Sequence, residues 1–217
     1  MITARIPPDN SVLLLAPVRG LHSEVAPALA SLGEHRPEWV GLGLSAEEMR
    51  GLIDYFVLAD AEPVVSLSTN EASEVRGLCR FGEVRVPNPS FVEVLRWSHD
   101  RGVPVDPLDP SDEESATLFT EHISYFELVR RTVGERGAAR RPQTPSTPDE
   151  YAIKWDRKVA AGRGSRDLAD ARDRHLAREV VRLRQGRART AVLVDRERYD
   201  GVRKLLTEGV PPRMSDE

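Results

Sequence analysis

Runs of apolar residues separated by amphipathic segments dominate the first part of the chain. The runs at residues 12–16 and 38–44 predict buried strands, because a strand covered on both faces shows no polar alternation. Between them, an apolar stripe recurs at helical spacing and ends near Gly33, which we expect to be the helix C-cap. A strand, a helix and a second strand at this spacing form the minimal unit of a parallel sheet.

Three capping-box patterns mark expected helix starts in the middle of the chain. In each pattern a glutamate follows a serine by three residues, so the two side chains can satisfy free N–H groups of the first helical turn. The serines are Ser45, Ser90 and Ser111. We expect the helix after Ser111 to run to about Val133. A further helix through Arg80 is expected to have Asn70 or Thr69 as its N-cap.

Shorter apolar runs complete the expected sheet. Residues 64–67 and 84–86 predict short strands, and residues 190–194 predict a buried final strand. Prolines interrupt residues 103–108, so we place that strand at an edge of the sheet. Residues 1–10 contain two prolines and are expected to lack regular structure.

The second half of the chain is mainly helical in pattern. Residues 134–148 are basic and then rich in proline, serine and threonine, which is typical of a flexible linker. A charged helical segment follows over residues 149–184, with a break at residues 162–164. We therefore expect a single α/β domain with a central, mostly parallel sheet, helices on both faces and a helical insertion at about residues 112–185.

Composition narrows the class of protein. The 217 residues carry a formal net charge of −4, which argues against general nucleic-acid binding because that requires a basic face. No apolar run reaches the roughly 20 residues of a membrane helix, and the N-terminus lacks a signal-peptide pattern. A cytoplasmic protein is expected, with a soluble domain of a longer membrane protein as the alternative. Cys79 is the single cysteine, so an intrachain disulfide is excluded.

Two groups of residues are candidates for a catalytic or binding site on the basis of residue type and position alone. His22 and Glu24 follow the first predicted strand, where ligands of open parallel sheets tend to bind. Asp106 and Asp109 open an acidic cluster that could hold a divalent cation through oxygen ligands. The plainer alternatives are a loop histidine and acidic residues that complement a helix dipole.

The order of elements also resembles a known family. Three blocks carry the likeness: VLLLAPVRGLHSEV with the following LASLGEHRPEWVGLGLS, then ARDRHLA at residues 171–177, and AVLVDRERYDGVRKLL at residues 191–206. They are similar to blocks of the TraB/PrgY family, which is related to the Tiki proteases and to the erythromycin-esterase/ChaN-like group. In Tiki-like relatives, a histidine and a glutamate of these blocks are associated with metal-dependent peptide hydrolysis.

The chain departs from the family at the residues that would bind metal. A small gap would bring His22 to the first histidine position, and only Arg172 and Asp173 persist clearly. Arginine stays protonated and has no lone pair to offer a metal ion. In an ungapped comparison, the family's first histidine, glutamate, aspartate and late histidine fall at Arg19, Gly43, Ser45 and Arg198.

Three hypotheses follow from the resemblance and its departures. The first is a TraB/Tiki-like protein without metal catalysis or cofactor, which binds a small anionic ligand or a protein partner through arginines at the mouth of the sheet. Its binding residues would be Arg19, Arg172, Asp173 and Arg198. The second is a hydrolase, peptidase-like or esterase-like, that uses a divalent metal ion. Its candidate residues are His22, Glu24, Asp106 and Asp109. The third is an assembly module that forms a homo-oligomer.

Overall fold

The computed structural model describes residues 1–7, 11–57, 67–125, 127, 145–160 and 162–209, without the side chains of residues 69 and 70. The expected strand at residues 64–67, the helix end near Val133 and most of the linker at 134–148 fall largely outside these residues. The described part confirms the α/β prediction. It contains five strands: β1 (Ile2–Ile6), β2 (Val12–Ala16), β3 (Trp39–Leu42), β4 (Val105–Pro107) and β5 (Thr190–Leu193).

The strands form one sheet in the order β1-β2-β5-β3-β4. β2, β5, β3 and β4 run parallel to one another, and β1 pairs antiparallel with β2 at the edge. The apolar run of β5 therefore lies at the centre of the sheet, where both faces are covered. Because the four parallel strands point the same way, their carboxyl ends lie along one edge.

Eight α-helices are present in the described residues. They are α1 (Val25–His35), α2 (Ala46–Val57), α3 (Thr69–Leu78), α4 (Pro89–Asp100), α5 (Asp112–His122), α6 (Pro148–Val159), α7 (Arg163–Leu183) and α8 (Tyr199–Glu208). Short 3-10 turns lie at His22–Glu24, Cys79–Phe81 and Arg196–Arg198. None of the helices in these residues is long and apolar enough to cross a membrane.

The helices cover both faces of the sheet. On one face, Leu176 and Val180 of α7 and Val202 of α8 pack on β2 and β5 residues such as Leu14 and Val192. On the other face, helices α1, α2 and α4 pack on the alternate residues of the same strands. Burial of these apolar side chains is the main driving force for the fold, at roughly 25 cal/mol per Å² of apolar surface.

A glycine lets β3 pack closely in the centre of the core. A Cβ atom added to Gly41 would collide with the side chains of Leu108 and Trp39. A glycine inside a strand commonly marks such a close approach of the backbone to its neighbours.

The structure corrects several boundaries. Residues 2–6 form β1, because the alternating apolar residues of ITARI face the core beside β2. Helix α1 continues past Gly33 to His35 and ends at Arg36, which takes the left-handed conformation. Residues 84–86 contribute only an isolated bridge from Val84 to Leu21.

Two helix ends also differ from the prediction. Asn88, not Ser90, caps α4, because its side chain accepts the Ser90 N–H and Pro89 occupies the first turn. The capping boxes at Ser45 and Ser111 are confirmed. The helix that begins after Ser111 ends at His122 and does not continue through Ile123.

Candidate functional site

A roof of helices covers the carboxyl edge of the parallel strands. Val18 and Leu21, which follow β2, pack against Leu78 of α3 and Trp155 of α6 in a third apolar cluster. This cluster holds α3 and α6 above the strand ends. The space left beneath the roof contains two adjoining cavities, which we call the polar chamber and the apolar chamber.

The polar chamber has a volume of about 350 Å³ and lies directly above the ends of β3 and β5. Gly43 and Val194 form part of its floor, and Trp155 forms part of its wall. Its lining is dominated by charged side chains that come from six parts of the chain. These are Arg19, Arg172, Arg198, Glu71, Glu74, Asp109, Asp156, Asp195 and Glu197.

Each arginine of the polar chamber is bound to a carboxylate from another element. Arg19 donates two hydrogen bonds to Asp195, one of them of 3.1 Å from Nε, and lies 3.8 Å from Glu197. Arg172 of α7 forms an ion pair with Asp109, which follows β4. These bonds connect the loop after β2 to β5, and α7 to β4.

Arg198 makes the most extensive set of bonds. Its guanidinium donates to Asp173 Oδ1 at 3.3 Å, to Asp156 Oδ1 at 3.3 Å and to the carbonyl of Ala169 at 3.3 Å. Its side chain and that of Asp173 are both largely buried. Arg198 thereby joins α6, α7 and the turn after β5.

The charges of the polar chamber do not balance. Three arginines and six carboxylates line it, so negative charge is in excess. Burial limits this excess, because desolvation favours the neutral form of a carboxyl group. Burial raises the pKa of Glu197 to about 7, and the nearby Asp195 carboxylate adds to the rise. Burial also raises the pKa of Asp173 to about 6, although Arg198 opposes the change.

The apolar chamber lies beside the polar chamber, between α2, α3 and α4, and has a volume of about 540 Å³. Its lining is formed mainly by apolar side chains of those helices and of the loop before α4. The apolar residues are Leu44, Leu52, Tyr55, Leu67, Val75, Leu78, Val86, Pro87 and Phe91. Leu52, Leu78 and Phe91 also belong to the packed core, so this wall is well supported.

Three charged side chains line both chambers: Arg19, Glu71 and Glu74. Arg19 is engaged by Asp195, and Glu71 belongs to the capping box of α3 with Ser68. Glu74 forms no hydrogen bond or ion pair with another described residue. Burial is the main cause of its raised pKa, which Arg19 lowers and Asp195 raises further. Glu74 is therefore a half-buried carboxyl group at the junction of the two chambers.

Several buried polar atoms of the cleft residues lack a hydrogen-bond partner among the residues that the structure describes. They include Oδ1 of Asp109, Oδ1 of Asp195 and Nε of Arg172. Asp195 is only 8% exposed. A buried acceptor without a partner is unfavourable by about 1–3 kcal/mol. Each such atom calls for an explanation, and a water, an ion or a ligand in the adjoining chamber would provide one.

The structure brings together only some of the residues predicted from sequence. Arg19, Arg172, Arg198 and Asp109 line the polar chamber, and Asp173 bonds to Arg198 behind its wall. The remaining three candidates, His22, Glu24 and Asp106, line neither chamber.

Each of these three candidates has a structural setting of its own. The buried Glu24 carboxylate binds the amino group of Met1 at 2.6 Å. Asp106 accepts a hydrogen bond from the indole of Trp39. The backbone N–H of His22 donates to the carbonyl of Glu83. Within the described residues, neither chamber brings these three residues together with Asp109.

Sequence reasoning missed most of the carboxylates of the polar chamber. Asp195 and Glu197 could have been found, because they immediately follow the last predicted strand, as Arg198 does. Glu71, Glu74 and Asp156 carried no such signal, since they lie on the helices of the roof. Comparison with known protein families finds no family that matches this chain, and comparison with curated proteins finds no match either.

Proposed function

We propose that this protein is a divergent relative of the TraB/PrgY family that binds a small molecule in its two-chamber cleft and lacks metal-dependent hydrolysis. The observation that carries the proposal is the junction at Arg19, Glu71 and Glu74, which lets one ligand contact both chambers. Volumes of about 350 and 540 Å³ fall in the range of small-molecule sites, which are mainly apolar with a few convergent polar groups.

The residues at the family's donor positions support the loss of metal chemistry. Arg19 and Arg198 are cations bound to carboxylates, and Gly43 on the chamber floor has no side chain. A metal ion that activates water needs neutral imidazole or carboxylate ligands. Of the four hydrolase candidates, only Asp109 lines the cleft, and it is already paired with Arg172.

The cleft favours a small molecule over a protein partner because both chambers are concave cavities of a few hundred Å³ and not a flat surface. The arginines predicted an anionic ligand. In the structure, an anion would have to compete with the carboxylates that already bind each guanidinium, so the charge balance argues against that ligand class. A ligand with an apolar body and a polar end fits both chambers.

An uncharged probe tests the proposal without assuming a ligand charge. We expect octan-1-ol to bind the full chain, as measured by isothermal titration calorimetry. Val75→Trp, on the chamber side of α3, should weaken that binding about tenfold, because displacing roughly 55 Å² of apolar contact is worth about 1.4 kcal/mol. Val181→Trp, at an exposed position on α7, is the matched control and should bind as the unmodified protein does.

Two outcomes would contradict the proposal. Binding that is absent, or equally strong in both tryptophan variants, would remove the apolar chamber as the site. One tightly bound transition-metal ion per chain, in protein purified without chelator, would contradict the loss of metal chemistry.

A further inference from the structure

We infer, on the basis of the proposed function, that the ligand is a small amphiphilic amine whose protonated nitrogen binds between Glu74 and the carboxylates of the polar chamber while its apolar body occupies the apolar chamber. The arginines at the mouth of the sheet then act as fixed counter-charges that hold those carboxylates in place. They are not the groups that bind the ligand.

The excess of carboxylates is the first observation behind this inference. Arg19, Arg172 and Arg198 are each committed to an aspartate, and those three bonds leave further carboxylates in the same cavity. A cation that enters the chamber would gain favourable interactions and would neutralise repulsion among the acidic groups. An anion would add to that repulsion.

The position of Glu74 is the second observation. Glu74 lines both chambers and makes no hydrogen bond or ion pair within the described residues, whereas Glu71 beside it caps α3. An ammonium group has three donors and no acceptor, so it matches a carboxylate that has no other donor. An ammonium group bound there lies at the point where an apolar tail can extend between α2, α3 and α4.

The unsatisfied oxygens are the third and independent observation. Oδ1 of Asp109 and Oδ1 of Asp195 are buried acceptors without a partner in the described part of the chain, and both side chains line the polar chamber. Arg172 Nε is an unsatisfied donor at the polar chamber, and Asn88 Nδ2 is another at the wall of the apolar chamber. At the polar chamber, a ligand that donates hydrogen bonds would satisfy the two carboxylate oxygens, whereas a ligand that only accepts them would satisfy Arg172 Nε alone.

The titration of the site agrees with this geometry. The pKa values of Glu74 and Glu197 are raised, chiefly by burial, and the neighbouring Asp195 raises both further. Arg19 opposes both changes and does not outweigh them. A bound cation would lower these pKa values, so its binding should release protons near neutral pH.

Three eight-carbon probes that differ only in the end group test the inference. They are n-octylammonium, octan-1-ol and octanoate, titrated by calorimetry at pH 8 and below their micelle concentrations. We expect n-octylammonium to bind about tenfold more tightly than octan-1-ol, as one charge-assisted hydrogen bond would provide, and octanoate to bind most weakly. In a second titration at pH 7, the measured binding enthalpy of n-octylammonium should also change with the ionisation enthalpy of the buffer, because the buffer takes up the released protons.

Glu74→Gln isolates the carboxyl group at the junction. This variant should lose about tenfold in n-octylammonium affinity while its octan-1-ol affinity stays unchanged, because the amide keeps the shape and removes the charge. Glu34→Gln, in the exposed pair with Arg5, is the matched control and should change neither affinity. Thermal melts of both variants verify that they are folded.

The outcomes separate this inference from the proposed function. Octanoate binding as tightly as n-octylammonium, equal binding of all three probes, or an unchanged n-octylammonium affinity in Glu74→Gln would overturn the amine and leave the cleft as a small-molecule site. Absence of binding for all three probes would overturn both.

Discussion

The two chambers of the cleft share a wall but are held together by different forces. Ion pairs between distant segments connect the walls of the polar chamber, as Arg19 with Asp195 and Arg198 with Asp173 illustrate. The apolar chamber is formed by packed helices. Arg85, an arginine that lines this chamber and not the polar one, pairs with Glu83, two residues away, and both side chains are more than half exposed.

This difference teaches that an arginine at the carboxyl edge of a sheet is not by itself evidence for an anionic ligand. Arg198 binds two carboxylates and a backbone carbonyl and so connects three segments of the chain. The positive charge of Arg198 is therefore neutralised by groups of the protein itself. The carboxylates that such arginines do not neutralise, Glu74 above all, are the groups with capacity left for a ligand.

The largest effect is expected when one arginine is removed from each chamber. Arg198→Met should lower the free energy of unfolding by about 3 kcal/mol at pH 8, because it leaves Asp173 buried without its counter-charge. Arg85→Met removes an exposed pair and should change that free energy by at most about 0.5 kcal/mol. Urea denaturation of both variants measures the difference.

The pH dependence of the stability of Arg198→Met provides a control. Below pH 5, Asp173 can take up a proton, so the loss caused by Arg198→Met should shrink. Equal losses of stability in the two arginine variants would contradict the view that ion pairs hold the polar chamber together.

Much of this architecture could be predicted from the sequence. The apolar runs of β2, β3 and β5 are signals of buried parallel strands, and the structure confirms them. β1 was missed because the two prolines that follow it were taken to exclude regular structure over residues 1–10, although the alternation of ITARI is itself the signal of a strand with one buried face. Asn88 was passed over as a cap because Ser90 offered a more familiar pattern.

The site was less predictable because its charge depends on tertiary contacts. Arg19 and Arg198 were expected at the mouth of the sheet, and both line the polar chamber. Their partners include Asp156 on α6, which no local pattern places above the strands. The sequence prediction did not include Asp156 and Glu74, so it assigned a positive net charge to the mouth of the sheet. In the structure, carboxylates outnumber arginines in the lining of the polar chamber.

Acidity of the polar chamber should also appear in the pH dependence of stability. The pKa of Glu197 is raised to about 7 by burial, so the folded protein holds this proton more tightly than the unfolded chain does. Stability contributed by the protonated form is present at about pH 4 and is lost as the pH rises through 7. The rise from 4.5 to about 7 corresponds to about 3.5 kcal/mol in full, at about 1.4 kcal/mol per pKa unit, of which about 2.5 kcal/mol is lost between pH 5 and pH 8.

Glu197→Gln isolates this contribution, because glutamine cannot lose a proton. Measured against the unmodified protein, this variant should gain relative stability between pH 5 and pH 8 in urea denaturation. Glu83→Gln is the comparison variant, because Glu83 pairs with Arg85 of the apolar chamber. The pKa of Glu83 is lowered by its hydrogen bond from Arg85, so its titration lies below this range and the variant should show no such trend. A Glu197→Gln variant whose relative stability falls as the pH rises would exclude a raised pKa.

The smallest effect is expected from one glycine beside each chamber. A Cβ atom at Gly201 of α8 would overlap the Asp173 carboxylate, which Arg198 and α7 hold in place, whereas a Cβ at Gly51 of α2 would meet no atom within 4 Å. Gly201→Ala should therefore lower the free energy of unfolding by about 1 kcal/mol, since overpacking of about 2 kcal/mol exceeds the helix-propensity gain of about 1 kcal/mol. Gly51→Ala keeps only the gain and should stabilise the protein by up to about 1 kcal/mol. Thermal unfolding of the two variants measures the sign of each change. A Gly201→Ala variant as stable as Gly51→Ala would contradict the prediction, because it would mean that the Asp173 side chain moves aside to accommodate the added methyl group.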